Sequence, residues 1–234
     1  MHTLFDVETQ VPAFIHITNA MPHDIATMDV IPYEPGSYYV FDKVYNHYKC
    51  LYCIHFVDSF LVVRAKKNVT YRTVKWARRM PKNILSDAQI ELTDYYPSKH
   101  YPETLRLVRY RDEENKREFT YLTNAKRLTA QQVADLYKSR WQVEFFSNGL
   151  ATSSNQTILG DKRKYRSNQV YVAIITFCLV AIMQHDMKLN RSTYEVLQIL
   201  NLSLTDTTPL VELLNKTNFQ NVKDQHSCSE LLLF

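Results

Sequence analysis

The sequence has few glycines, few cysteines and no apolar run of membrane-spanning length. Three glycines stand against sixteen tyrosines and eleven phenylalanines in 234 residues, and no internal repeat or low-complexity tract is visible. The longest apolar run, Val170 to Met183, is interrupted by Thr176 and is shorter than the roughly 20 residues that a membrane helix needs. We interpret this run as a core helix and expect no membrane partner. No secretory signal pattern is found either, which predicts a cytoplasmic protein.

The four cysteines provide little basis for a metal or redox site. Cys50 and Cys53 form a C-x-x-C pair, with His47 and His55 nearby. A zinc or redox site would need a second ligand pair, and Cys178 and Cys228 are too isolated to supply one. Buried free thiols in a reducing compartment are the favoured interpretation, and a zinc or redox protein is a weaker alternative.

Composition permits a nucleic-acid partner without requiring one. The formal charge is +4 and the pI is near 8.7, which is mildly basic. The apolar fraction of 45% is sufficient for a substantial core. The chain length fits one large domain, or one domain with an insertion.

The first 65 residues have a strand-rich pattern. Residues 2–6 and 11–18 alternate apolar and polar positions and predict a hairpin. Ser37 to Phe41 predicts a buried strand, and residues 44–57 and 60–64 predict a helix and a further strand. Asp42 follows the strand at 37–41, where ligands of α/β sheets commonly gather, so it is a candidate metal ligand. An aspartate in this position is also a common helix N-cap.

Residues 66–126 are rich in lysine and arginine and contain four short β-like runs, at 69–76, 88–93, 104–110 and 117–123. Lys66 and Lys67 are the first candidates for contacts to DNA phosphates, followed by Arg72, Lys75, Arg78, Arg79 and Lys82. A solvated basic face is an alternative of nearly equal weight. Helices are predicted at about 130–146, 168–187, 192–203 and 209–216.

Residues 137–144, Y-K-S-R-W-Q-V-E, place three functional groups on one side of a predicted helix. At about 100° per residue, Tyr137, Arg140 and Glu144 point in the same direction. Spacing alone favours an ordinary amphipathic helix with an Arg–Glu pair at i,i+4, worth a few tenths of a kcal/mol.

The residues themselves resemble a known signature. Tyr137, Arg140 and Glu144 match Y-x2-R-x3-E of bacterial transposases of the insertion-sequence-four family, whose fourth residue, a lysine, is replaced by Ala151. The resemblance runs from about residue 1 to about 220, through Y-Y-V-F-D at 38–42, L-T-N at 122–124 and Y-V-A-I-I-T-F-C-L-V-A-I at 171–182.

The resemblance implies an α/β fold, an RNase H-like core of the retroviral-integrase type, truncated at its first strand. It implies core segments at 1–65 and 127–217, a β-rich insertion at 66–126, C-terminal helices and a tail at 218–234. The missing first strand is expected before residue 1, next to the strands at 2–6 and 38–41. We therefore expect exposed strand edges and a poorly folded chain.

Roles for site residues also follow from the resemblance. Asp42 and Glu144 correspond to the second and third carboxylates of a D-D-E triad that holds two Mg²⁺ or Mn²⁺ ions. Tyr137 and Arg140 correspond to contacts with phosphates near the cleaved end. The implied DNA partner is the double-stranded DNA of transposon ends. The implied protein partner is a second copy of the chain, in a homodimer, or an intact transposase. The family's glycine near Asp42 is Val44 here, a change expected to distort the turn that holds Asp42. Because the first carboxylate of the triad is not found, the chain is expected to be an inactive bacterial remnant.

Residues 147–168 depart from the family pattern. Back-translation with one base restored at each of three places reads F-K-W-I-K-Q-H-L-R-I-K-R-F-W-G-T-S-E-N-T-V-R-I, which resembles the family and includes its lysine. A displaced reading frame is therefore one hypothesis for this segment, and a flexible loop is the other.

Overall fold

The computed structural model describes residues 2–17, 24–77, 80–144, 146–147, 163–202, 208–209 and 212–214. The chain divides into two compact units, Met1–Glu144 and Phe145–Phe234, called unit 1 and unit 2 below. Most of the segment 147–168, including Ala151, lies outside the described residues, as do Arg78, Arg79 and Cys228.

Unit 1 begins with the predicted hairpin. β1 (His2–Asp6) pairs antiparallel with β2 (Val11–His16), in a register that joins His2 to His16 and Asp6 to Val11. The Asp6 carboxylate accepts hydrogen bonds from the Glu8 amide and the Thr9 hydroxyl, which closes the turn. The hairpin forms a two-stranded sheet of its own.

The second sheet of unit 1 has six strands in the order β3-β4-β8-β7-β6-β5. Their bounds are β3 Tyr38–Phe41, β4 Phe60–Arg64, β5 Tyr71–Trp76, β6 Ile84–Leu92, β7 Leu105–Asp112 and β8 Arg117–Thr123. β3 and β4 are parallel, and all other neighbours are antiparallel. The β-rich part of the chain thus continues the sheet that β3 and β4 begin. The domain boundaries at 65/66 and 126/127 remain predictions from the sequence.

Five short helical segments accompany this sheet: α1 Asp24–Met28, a 3₁₀ turn at Lys43–Tyr45, α2 Tyr48–Phe56, α3 Tyr95–His100 and α4 Ala130–Ser139. The single helix expected at 44–57 is therefore a 3₁₀ turn followed by α2. α3 was not predicted, because Pro97 argues against a helix. Pro97 is in the first turn of α3, where a backbone amide has no carbonyl acceptor within the helix, so its missing N–H costs no helical hydrogen bond.

Both faces of the six-stranded sheet are buried at β4, because successive side chains of a strand point to opposite faces. Leu61 and Val63 belong to a cluster with Leu51 and Ile54 of α2. Val62 belongs to another cluster, with Val133 of α4. Unit 1 is therefore a mixed α/β layer structure, with α2 and α4 packed against opposite faces.

Unit 2 contains α5 (Arg163–Asp186) and α6 (Thr193–Leu202). Its cluster of buried residues comprises Val180, Val196, Ile199 and Leu214. The expectation of a core helix at 170–183 is correct for one face only. The other face of α5 exposes 51–62% of five large apolar residues, called the exposed stripe: Tyr171, Val172, Ile175, Leu179 and Ile182.

The exposed stripe exists because the segment 170–183 of α5 is apolar on all sides, whereas one side of it is buried. Within the described residues, the segment 168–186 of α5 has the length and composition to cross a bilayer. This property is weak support for a membrane span, because core helices share it.

Candidate active site

Asp42 lies at the carboxyl end of β3, where its carboxylate has two donors. Its Oδ1 accepts the Lys43 amide hydrogen at 2.7 Å and the Tyr137 hydroxyl hydrogen at 3.0 Å. Asp42 is thus the N-cap of the 3₁₀ turn, the ordinary structural role considered for it. Its second oxygen, Oδ2, has no hydrogen-bond partner in the part of the chain that the structure describes, and it remains available to a ligand.

Tyr137 is held from two directions. α4 starts with a capping box in which Thr129 and Gln132 exchange side-chain and backbone hydrogen bonds, and this fixes the beginning of the helix. The Tyr137 side chain is 5% exposed and its ring lies 4.6 Å from that of Tyr121. Burial, followed by the charge of Asp42 and the hydrogen bond to it, raises the pKa of Tyr137 to about 12. Tyr137 is therefore protonated at neutral pH and donates to Asp42.

The helix that carries the signature is interrupted at Arg140. α4 ends at Ser139, Arg140 is its C-cap, and residues 141–144 are helical again. The Arg140 amide donates to the Tyr137 carbonyl at 3.2 Å, a tighter i,i+3 bond in place of the α-helical one. The prediction of one continuous helix over 130–146 was wrong, because the helix is interrupted at Arg140. Its predicted ion pair is present, with 2.8 Å between Arg140 Nη2 and Glu144 Oε1.

Arg140 interacts with both carboxylates. Burial acts to lower the pKa of Arg140, but the hydrogen bond to Glu144 and the negative charges of Glu144 and Asp42 outweigh it and raise the pKa. The guanidinium also lies 5.7 Å from the Tyr137 ring and 5.4 Å from the Trp141 ring. Its Nε is buried and has no hydrogen-bond partner among the described residues. Arg140 thus forms an ion pair with Glu144 and lines the same cavity as Asp42.

Sequence reasoning missed Arg64. The parallel register pairs Phe41 with Val63, so Asp42 and Arg64 are neighbours across the two strand ends. The Arg64 guanidinium lies 5.1 Å from the Phe119 ring, and its positive charge acts to lower the pKa of Tyr137. The available signal was its position at the end of the strand following Asp42. Lys66 and Lys67 follow β4 in the sequence and are exposed.

Comparison with known proteins identifies the family. Residues 1–183, which include Asp42, Tyr137, Arg140 and Glu144, match the family described as Transposase DDE domain. The chain belongs to this transposase family. Two curated relatives are "Putative transposase y4zB" of Sinorhizobium fredii and "Probable transposase for insertion sequence element IS5377" of Geobacillus stearothermophilus.

The relatives are longer than the part that matches. The Sinorhizobium protein is 30% identical over 208 residues, which is 86% of this chain and 57% of the relative. The Geobacillus protein is 26% identical over 185 residues, which is 77% of this chain and 48% of the relative. The chain therefore spans about half the length of these curated relatives.

Transposases of the DDE type generally use divalent metal ions, and the carboxylates of Asp42 and Glu144 are the kind of ligand that Mg²⁺ prefers. The described residues contain no group of three or more histidine, cysteine, aspartate or glutamate side chains placed to hold an ion. The chemistry of the donors fits a divalent ion, whereas the described donor set does not complete its coordination.

The C-x-x-C pair of this transposase-family chain lies on α2 and faces two environments. Cys50 is buried, and its thiol donates to Asp29 Oδ1 at 3.3 Å and contacts His47 Nδ1 at 3.0 Å. Burial, followed by the interaction with Asp29, raises the pKa of Cys50 to about 12, so the thiolate that binds metals is disfavoured. Cys53 is exposed, contrary to the expectation that both thiols are buried. These contacts favour a structural role for Cys50.

Proposed function

We propose that this chain is the catalytic-domain part of a DDE transposase of the insertion-sequence-four type with an RNase H-like core. Its relatives' activity would be metal-dependent DNA cleavage and strand transfer at transposon ends. The observation that supports this most strongly is the pair of contacts made by the signature residues: Arg140 pairs with Glu144, and the Tyr137 hydroxyl donates to Asp42, the two carboxylates that match the family's triad. Three of the four signature residues agree.

Asp42 and Glu144 are proposed as ligands for Mg²⁺ or Mn²⁺, and Arg140, Lys66 and Lys67 as contacts to DNA phosphates. A guanidinium can bind a phosphate through two parallel hydrogen bonds, which suits Arg140 and also the neighbouring Arg64. Tyr137 was expected to contact phosphate as well. Because its hydroxyl is buried against Asp42, we assign it the role of a positioning residue for that carboxylate.

We further propose that the chain on its own does not cut DNA, because the described residues supply two carboxylates where a two-ion site uses three. The test is nicking of a supercoiled plasmid by the purified chain with Mg²⁺ or Mn²⁺. The expected result is no nicking above that of the Glu144→Gln variant. Metal-dependent nicking that both Glu144→Gln and Asp42→Asn abolish would overturn the inactivity and would support the assigned carboxylates.

A second candidate function is DNA binding without catalysis, in the cytoplasm of a bacterium, alone, as a homodimer or together with an intact transposase. The close sequence spacing of Arg64, Lys66 and Lys67 at the end of β4, the strand that pairs with β3, favours it. Binding to a short duplex should weaken steeply as salt rises, since phosphate contacts release counterions. Affinity that does not change with salt would contradict phosphate contact.

A further inference from the structure

Asp42 and Arg64 face the same side of the six-stranded sheet. Val40 and Val62 are paired in the register of β3 and β4, and both pack in the hydrophobic cluster beneath α4. Side chains two residues apart on a strand point to the same face, and Asp42 keeps an extended backbone. Asp42 and Arg64 therefore both face α4, in agreement with the hydrogen bond from Tyr137 of α4 to Asp42.

The main chain of Arg64 is fixed from two sides. Its carbonyl accepts a hydrogen bond from Asn46 Nδ2 at 2.6 Å, and the register of β4 and β8 pairs Arg64 with Tyr121. The same Asn46 amide group donates to the Lys43 carbonyl at 3.0 Å, within the 3₁₀ turn that Asp42 caps. The turn that holds Asp42 is thus tied directly to the backbone of Arg64.

The side chain of Arg64 is held by an aromatic ring. Its guanidinium carbon lies 5.1 Å from the centre of the Phe119 ring, and the negative face of a ring attracts such a cation. The Phe119 ring is nearly parallel to that of Tyr121, at 6.1 Å, and lies 6.4 Å from that of Tyr137. Phe119 also packs against the buried cluster beneath α4. The ring that carries Arg64 is therefore itself supported by neighbouring rings.

The two arginines of the site differ in their availability to an anion. Arg140 Nη2 lies 2.8 Å from Glu144 Oε1, so a phosphate has to compete with that carboxylate. Within the part of the chain that the structure describes, the guanidinium of Arg64 has no hydrogen-bond or ion-pair partner. A ring face occupies none of its N–H groups, which remain available as donors. Arg64 is thus held in place without being neutralised.

We propose that Phe119 is a positioning residue that holds the Arg64 guanidinium ready for a DNA phosphate beside Asp42. The inference rests on the proposed function and deepens it, by giving the β-rich part of the chain a role at the site. The ring restricts a long side chain before DNA arrives, so less conformational entropy is lost on binding. A guanidinium held in this way can bind one phosphate through two parallel N–H groups.

The experiment measures binding of the full chain to a fluorescein-labelled DNA duplex by anisotropy, without divalent ions and at several salt concentrations. Arg64→Gln removes one phosphate contact and should lower the slope of log affinity against log salt by about 1. Phe119→Leu keeps the charge, so the slope should stay the same while affinity falls about threefold. Arg111→Gln is the control and should change neither quantity, because Arg111 is already paired with Glu118 at 2.7 Å.

Two further variants separate positioning from a structural role of Phe119. Phe119→Tyr keeps the ring and should bind the duplex as the unsubstituted chain does. Phe119→Leu should have no additional effect in a chain that carries Arg64→Gln, because the ring acts through that side chain. Equal weakening by Phe119→Leu in both backgrounds would overturn the proposal. So would binding by Phe119→Tyr that is as weak as that by Phe119→Leu.

Failure of this inference can be told apart from failure of the proposed function. Salt-dependent duplex binding that Arg64→Gln leaves unchanged would overturn the inference and would leave DNA binding in place. A chain that does not bind the duplex at any salt concentration would overturn both. Should the variants unfold, nuclear magnetic resonance of the unsubstituted chain decides. The duplex should shift the Nε–Hε resonance of Arg64, and an unshifted resonance at saturating duplex would overturn the proposal.

Discussion

The two units of this chain bury their apolar residues to different extents. In unit 1, the side chains of Leu61, Val62 and Val63 are fully buried, because α2 and α4 cover opposite faces of the sheet. In unit 2, the described residues cover one face of α5 and leave the exposed stripe on the other. The family match at residues 1–183 includes parts of both units, whereas among the described residues the sheet of unit 1 is covered on both faces and α5 is covered on one.

The largest difference is expected on removing apolar volume. Leu61→Ala leaves a cavity under α2 and should lower the free energy of unfolding by about 2–5 kcal/mol. Leu179→Ala makes the same change in the exposed stripe, where the residue is 61% exposed. It should alter the free energy of unfolding by less than about 0.5 kcal/mol. Urea unfolding followed by fluorescence measures both.

A cooperative transition for the unsubstituted chain would also correct the expectation of a poorly folded protein. Equal losses for the two leucine variants would contradict the comparison itself. Such a result would mean that the exposed stripe is covered in solution. The mass of the chain in sedimentation experiments would then tell whether a second molecule covers it.

Alkaline pH should unfold unit 1 selectively. Among the described residues, the tyrosines with a raised pKa are Tyr33, Tyr48, Tyr101, Tyr121 and Tyr137, all in unit 1. For Tyr137, burial raises the pKa from 10.0 to about 12, so the folded state holds this proton more tightly than the unfolded state. Its contribution to stability is complete below pH 10 and is lost as the pH rises through about 12.

The measurement for this prediction is absorbance of tyrosinate together with circular dichroism during a titration from pH 8 to 13. Tyr137→Phe should lose part of the alkaline dependence, with Tyr171→Phe in unit 2 as its matched control. Loss of the sheet signal below pH 9 would show that another group governs unfolding.

The sequence predicted the parts of the fold that depend on local pattern. The strands at 60–64 and 117–123 coincide with β4 and β8, because their apolar and β-branched residues are local signals. Three features depend on tertiary structure and could not be read locally. They are the register that places Arg64 beside Asp42, the interruption of the helix at Arg140, and the uncovered face of α5.

The candidate site was predictable in composition and less so in geometry. Tyr137, Arg140 and Glu144 were selected by their shared helix face, and the Arg140–Glu144 pair is present. The hydroxyl of Tyr137 is directed to Asp42, 95 residues earlier in the sequence. The residue pattern of one helix cannot predict that contact, because the contact requires β3 and α4 to pack together.

A moderate effect is expected on DNA binding, which we assign to unit 1. Each phosphate contact contributes close to one unit to the slope of log affinity against log salt, so Lys66→Gln with Lys67→Gln should reduce that slope by about 2. Lys188→Gln in unit 2, also an exposed lysine, is the control and should leave the slope unchanged. Fluorescence anisotropy with a labelled duplex at several salt concentrations measures the slopes. A larger change for the unit 2 variant would reverse the assignment.

The smallest effect is expected at Glu144, where unit 1 ends. The Glu144 side chain is 42% exposed in its ion pair with Arg140. Such i,i+4 pairs contribute about 0.3–0.5 kcal/mol to stability. Glu144→Gln should therefore change the free energy of unfolding by about 0.5 kcal/mol or less. Asp87→Asn is the matched control, because Asp87 forms a buried bidentate pair with Arg106 at 2.7 Å, and breaking such a pair costs about 3–5 kcal/mol. Urea unfolding of both variants makes the comparison. A loss at Glu144 as large as that at Asp87 would show that its carboxylate is a structural element of unit 1, and it would weaken the case for a carboxylate kept for metal binding.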